Sequence, residues 1–135
     1  MYARTPSKRK ILLVEDEPTI QRLLHFMLTK EFDLRVANNG YEAFMMLEDR
    51  FIPDLIILDW VMPHMDGRAF LKCIKVSGIY REIPIIVLSA SSNVLEEVDG
   101  LHHRVYQCVS KPFDPQLLRT TIETVMNTNA YGFAN

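Results

Sequence analysis

The feature that most constrains this chain is the run Leu55-Ile56-Ile57-Leu58, which ends on Asp59. Four consecutive apolar residues without alternation suit a strand buried on both faces, as in a parallel sheet. Pro63 and Gly67 then punctuate a loop before a helical pattern begins at Arg68. An acid at the C-terminal end of a central parallel strand points into the crevice where open α/β sheets bind ligands. The rest of the chain reads as a scaffold that brings further acids, a hydroxyl and a lysine to Asp59.

Four more strands and five helices follow from hydrophobic period and punctuation. Residues 11–14 form a first strand, which runs into Glu15, Asp16 and Glu17, and Pro18 opens a helix. Ile20, Leu23, Leu24, Met27 and Leu28 recur at helical spacing and give that helix one apolar stripe. Residues 32–37 are a second strand, Asn38-Asn39-Gly40 a turn, and 41–49 a short helix with Ala43, Phe44 and Leu47 on one side. The Asp59 strand is third, and residues 68–77 are a helix stopped by Gly78. Residues 83–88 are the fourth strand, with Pro84 at its start. Residues 91–102 read as a weaker helix, carried by Val94, Leu95, Val98 and Leu101 but weakened by Gly100. Residues 105–109 are the fifth strand. Asp114 and Pro115 open a last helix with Leu118, Ile122 and Val125 facing inward. Alternating strands and helices give an α/β fold with a five-stranded parallel sheet and helices on two faces. Right-handed crossovers leave few topologies, and strand order 2-1-3-4-5 is expected.

Composition narrows the function classes. The 135 residues fit one domain, expected over 10–128 with tails at 1–9 and 129–135, and a chain this long buries roughly two thirds of its unfolded surface. A net charge of −2 makes no electrostatic case for direct nucleic-acid binding. No apolar run reaches the ~18 residues of a membrane span, and the basic N-terminus leads straight into acids rather than a signal-peptide core. A cytoplasmic location is the expectation. Cys73 and Cys108 lack metal or redox spacing and read as two ordinary buried thiols. Met45, Met46, Met62 and Met65 read as packing residues, and His25, His64, His102 and His103 as surface residues.

The chemistry converges at the C-terminal ends of the strands. Glu15 and Asp16 follow the first, Asp59 ends the third, Ser89 follows the fourth, and Lys111-Pro112 follows the fifth. Alone, Glu15, Asp16 and Glu17 could equally be an acid cluster at a helix N-terminus, favoured by the macrodipole. With Asp59 and Lys111 in register, three mutually repelling carboxylates call for a hard divalent cation. Mg²⁺ takes one or two carboxylates and leaves positions for water and phosphate oxygens. A lysine and a hydroxyl across the same crevice suit a phosphoryl group, so the set describes phosphoryl transfer onto a carboxylate.

The stretches ILLVEDEP, LIILDWVMPHMDG, IPIIVLSA and VSKPF occur in this order. At these residues, over about 9–127, the chain resembles the receiver domain of two-component response regulators. The fold implied is flavodoxin-like (CheY-like), and since the order 2-1-3-4-5 is also the family's own, the two readings are not independent. The resemblance implies that Asp59 takes a phosphoryl group from the phosphohistidine of a sensor histidine kinase or a histidine phosphotransfer protein. Asp16 would bind Mg²⁺ directly, Glu15 mostly through water, and the backbone carbonyl of Val61 would add a ligand. Lys111 would contact the phosphate, its bond to Pro112 would be cis, and Ser89 would move to the phosphate as a switch. The domain would be no enzyme beyond its own phosphorylation and slow self-dephosphorylation. It would signal to a downstream protein by changed contacts, with a dimer available through the helix over 91–102, the strand over 105–109 and the last helix.

The chain departs from that pattern in places. Cys108 stands three residues before the lysine, where the family carries an aromatic ring. Arg104-Val105 replaces the familiar Gly-Ala, and Ser89 stands where Thr is commoner. Tyr106, the nearest aromatic, shares a strand face with Cys108 by alternation but lies roughly 6–7 Å further from the site. The leading expectation is a stand-alone receiver. The alternative is the receiver portion of a longer transcriptional regulator or hybrid histidine kinase. An aspartate-nucleophile phosphatase of the haloacid dehalogenase type would want an acid two residues after Asp59, where Val61 stands. A pseudo-receiver used only as a scaffold would not need the intact acid, hydroxyl and lysine set.

Overall fold

A computed structural model describes residues 7–62, 64–90, 94 and 105–130. Five strands form one parallel sheet: β1 (Arg9–Val14), β2 (Phe32–Ala37), β3 (Leu55–Asp59), β4 (Ile85–Ser89) and β5 (Val105–Ser110). Their order is β2-β1-β3-β4-β5, as expected. Four α-helices are described: α1 (Pro18–Leu28), α2 (Gly40–Glu48), α3 (Gly67–Lys75) and α4 (Pro115–Ala130). The further helix expected over 91–102 lies outside the described residues except for Val94, which is buried in the core. Boundaries differ from expectation by a residue or two: β1 begins at Arg9, β4 at Ile85, and α4 runs to Ala130.

β3 is the centre of the packing because its residues are apolar without alternation. All five are buried. Leu55 and Ile57 face the layer formed with Leu24 and Leu28 of α1 and Leu118, Ile122 and Val125 of α4. Ile56 and Leu58 face the opposite layer, with Ala43 and Leu47 of α2 and Phe70, Leu71 and Ile74 of α3. Each such side chain gains roughly 1.5–3 kcal/mol on full burial, so the two faces together fix the strand's register. Leu58 pairs with Val14 on one side and Val87 on the other, which brings the ends of three strands level.

β5 is built differently. It is an edge strand with Tyr106 and Gln107 exposed and Val105, Cys108 and Val109 only partly covered. Its pairing with β4 slips at Ile85/Ile86, where Ile85 faces Val105 but Ile86 faces Gln107. One extra residue on β5 breaks strict alternation. Val105 and Cys108, three apart, therefore pack on the same core face. Tyr106 is 47% exposed and is not among the residues packed on that face.

Other expectations are corrected by burial. Cys73 and Cys108 are free but only partly buried, because α3 and the edge strand each leave a flank open. Met45 is exposed on the outer side of α2, whereas Met62 is buried and Met46 and Met65 pack against the core. His25 and His64 are exposed; His102 and His103 lie outside the described residues.

Candidate functional site

The ends of β1, β3 and β5 bring Glu15, Asp16, Asp59 and Lys111 to one crevice, also lined by Val61 and Ala90. Glu15 is held by the sheet: its backbone N–H donates to Ala37 O of β2 at 3.0 Å, which turns its side chain into the crevice with no exposure at all. Asp59 closes β3 and is buried, while Asp16, one residue beyond Glu15, is exposed. One oxygen from each of the three carboxylates lies within 4.8 Å of the others. Two ionised carboxylates at 4.8 Å repel by roughly 3 kcal/mol at an effective dielectric of about 20, a large share of a domain's stability.

Lys111 offsets part of that charge. Its Nζ lies 3.0 Å from Glu15 Oε1 and 3.2 Å from Asp59 Oδ1. The approach to Glu15 pairs the charges without hydrogen-bond directionality. Glu15 Oε1 is therefore a buried side-chain oxygen that lacks a hydrogen-bond partner, while Oε2 accepts from Glu17 N–H at 3.1 Å. Burial pushes the Glu15 carboxyl up from 4.5 to about 7; Asp59 adds to the rise, and the Glu17 amide and Lys111 oppose it. Burial by itself would lower the Lys111 ammonium, but its pairing with Glu15 and Asp59 outweighs this and raises it. One carboxyl in the cluster is thus forced up, as mutual repulsion and burial require.

The loop after Asp59 is folded tightly back over it. Trp60 N–H donates to Leu88 O at 2.9 Å, and Gly67 N–H donates to Trp60 O at 3.1 Å. A Cβ on Gly67 would stand 2.8 Å from Asp59 O and 2.9 Å from Trp60 Cα, so only glycine lets α3 begin this close to β3. Asp66 caps α3 by accepting from Ala69 N–H at 3.0 Å. Val61 N–H lies 3.4 Å from Asp59 Oδ1, and its side chain, 71% exposed, stands at the crevice mouth. Ser89 ends β4 and is buried; its carbonyl accepts from Lys111 N–H at 2.9 Å. The Lys111-Pro112 peptide is cis.

The donor set fits a hard divalent cation. It offers oxygens only, one of them buried without a hydrogen bond, and three carboxylates against one lysine leave negative charge to neutralise. The sequence reading missed Gln21, Asn38 and Glu42, which bond around Glu15 from α1 and the β2–α2 turn. The signal was present: Asn39 followed three residues later by Glu42 is the pattern of a capping box.

This fold and site define a doubly wound α/β module with an acidic crevice at the C-terminal ends of its parallel strands, and comparison with known proteins gives the family. Residues 11–123 match the response regulator receiver domain. The chemotaxis protein CheY1 of Helicobacter pylori is 32% identical over 122 residues, covering 89% of this chain and 98% of that protein. The phosphate regulon transcriptional regulatory protein PhoB of Escherichia coli is 34% identical over 118 residues, 87% of this chain but 52% of that protein, so the chain spans about half of that regulator. Among solved structures, the receiver domain of the sensor histidine kinase PA1611 from Pseudomonas aeruginosa, with a magnesium ion in its active-site cleft, superposes with a TM-score of 0.77. It is 25% identical and covers 90% of this chain and 100% of that one. The chain belongs to the response regulator receiver domain family: it is a receiver domain of two-component regulatory systems. Among the described residues, no helix is long and apolar enough to cross a membrane.

Proposed function

We propose that Asp59 is the phosphoacceptor and that Glu15, Asp16, Asp59 and the Val61 carbonyl hold Mg²⁺ beside it. The observation that carries this is Lys111 Nζ placed between Glu15 and Asp59 in a crevice of three converging carboxylates. The donor is a sensor histidine kinase or histidine phosphotransfer protein in the cytoplasm. An Asp59 carboxylate oxygen attacks the phosphorus of a phosphohistidine; the P–N bond breaks and its electron pair returns to the imidazole. When bound, Mg²⁺ offsets charge on the phosphoryl oxygens. Lys111, already within reach of Asp59, turns its ammonium from Asp59 toward the incoming phosphoryl group. Ser89, at the end of the neighbouring strand, donates its hydroxyl to the phosphoryl oxygen and draws β4 with it. The Asp59 strand, buried on both faces, holds the nucleophile still during attack.

Output then passes by changed protein contacts through β5 and α4, to a downstream protein or a second copy. With no ring at Cys108 to turn inward, the response runs through backbone shifts after Ser89. A second reading, the receiver portion of a longer regulator or a hybrid kinase, draws on the partial coverage of PhoB and the likeness to a kinase receiver. Both share the same chemistry. Incubation with acetyl phosphate and Mg²⁺ should add one phosphoryl mass to the wild type, and little in EDTA. Wild-type protein that takes up no phosphoryl group with Mg²⁺ present would return the chain to a scaffold role.

A further inference from the structure

We infer that the turn opening α2, residues 38–42, braces both acid-bearing ends of the site, with Gln21 as the positioning residue on one side and Gly40 on the other. The inference rests on the reading that Glu15, Asp16 and Asp59 hold Mg²⁺. None of the bracing residues is proposed to touch the ion.

The first arm runs to β1. Gln21 Nε2 of α1 donates to the Glu15 carbonyl and to Asn38 Oδ1, the latter at 2.8 Å. Asn38 is fixed in turn, because its backbone N–H and its Nδ2 both donate to Glu42 Oε1, at 2.9 and 3.1 Å. Asn39 caps the helix by accepting from Glu42 N–H at 2.9 Å, while the Glu42 carboxylate reaches one residue further back, to Asn38. The peptide that joins Glu15 to Asp16 is therefore held by a side chain whose own direction is set by the α2 cap.

The second arm runs to β3. Gly40 N–H donates to Met65 O at 2.8 Å, in the loop that leaves Asp59 and carries Val61. A Cβ on Gly40 would stand 2.6 Å from Met65 O, a backbone atom that could yield only by moving the loop. Two segments that would ligate the ion are thus tied to one short turn that would contribute no ligand. Groups that orient ligands without touching the metal typically cost 10–100-fold in affinity when lost.

The test is a Mg²⁺ titration of the full chain, followed by Trp60 fluorescence and by calorimetry, with melting in EDTA as the stability control. Gln21→Met keeps the length and removes the donor; it should weaken Mg²⁺ binding by roughly tenfold while melting near the wild type in EDTA. Gln21→Asn keeps an uncharged amide donor on a shorter arm and should recover part of the affinity. Gly40→Ala should weaken binding in the same direction; if it melts too low to titrate, the Gln21 pair decides. Mg²⁺ affinity unchanged in Gln21→Met, with or without a lower melting temperature, overturns the brace and leaves the metal site standing. A wild type that binds no Mg²⁺ overturns both.

Discussion

β3 and β5 end at the same crevice but are built on opposite terms. β3 is buried on both faces, bonded on both edges, and delivers one acid. β5 is half-exposed, bonded on one edge, out of step by a residue near its start, and delivers one cation. The difference teaches how labour is divided in this molecule. The side that carries Asp59 is over-determined by packing, whereas the side that carries Lys111 is packed on fewer sides, as the proposed function requires of a fixed acceptor and a strand that responds to it. Ser89 sits on the boundary, buried on β4 between the two.

The largest effect that separates the two strands should be on stability. Leu58→Ala removes a fully buried side chain from β3 and should cost about 2–5 kcal/mol in denaturant unfolding. Tyr106→Ala on β5 should fall within about 0.5 kcal/mol, as surface changes do. Equal losses would erase the contrast.

Next in size is the pH response of the acid end. Glu15 titrates at about 7 in the fold against 4.5 ordinarily, so the fold favours its protonated form. Its contribution to stability is full below pH 4.5 and is lost as pH rises through 7. By linkage the loss is on the order of 3 kcal/mol in metal-free protein. The metal-free melting temperature should therefore fall between about pH 5 and 8. Glu15→Gln should flatten that fall, and several millimolar Mg²⁺ should oppose it if the ionised site binds the cation as proposed. A wild-type profile in EDTA that is flat or rises across the window contradicts the raised carboxyl.

A smaller effect concerns the lifetime of the phosphoryl group. The side chain two residues after Asp59 is Val61, exposed at the mouth of the crevice and unable to orient water. Self-dephosphorylation should be slow, and Val61→Asn should speed it severalfold in a decay followed by intact mass. Decay in the variant that matches or lags the wild type removes this role for position 61.

The smallest effect should come from Tyr106. Its ring is exposed, and in the slipped strand it does not stand in for the ring absent at Cys108. Tyr106→Ala should leave phosphorylation of Asp59 intact and change partner affinity only modestly. Structures with and without beryllium fluoride would sharpen the point: a Tyr106 ring that swings in beside Ser89 would show the relay to be a ring rotation after all.

How legible each strand was follows from the same contrast. The LIIL run announced β3, its burial on both faces and the acid at its end, because a short unbroken apolar run closed by turn residues suits a strand covered on both faces. The placement of Glu15, Asp16, Asp59 and Lys111 around one crevice was readable for the same reason, since each lies at the end of a strand that the apolar pattern marks. β5 was legible as a strand, but its slip was not, because a one-residue bulge leaves the local sequence pattern unchanged. Alternation therefore failed at the start of β5, where Val105 shares the core face with Cys108 three residues on. The partly open thiols of Cys73 and Cys108 were missed because exposure at a sheet edge depends on what does not pack there. The Gln21–Asn38–Glu42 contacts join segments far apart in the chain, and only the α2 cap within them left a local signature.

The most direct measurement of the central claim locates the phosphoryl group itself. Protein treated with acetyl phosphate and Mg²⁺, then reduced with borohydride, which expels the phosphate of an acyl phosphate and leaves homoserine in place of the aspartate, should after digestion show homoserine at position 59; before reduction, Asp59→Asn should fail to gain the phosphoryl mass at the wild-type rate. A reduction product at another acid instead, or phosphoryl uptake by Asp59→Asn as fast as by the wild type, would contradict the account.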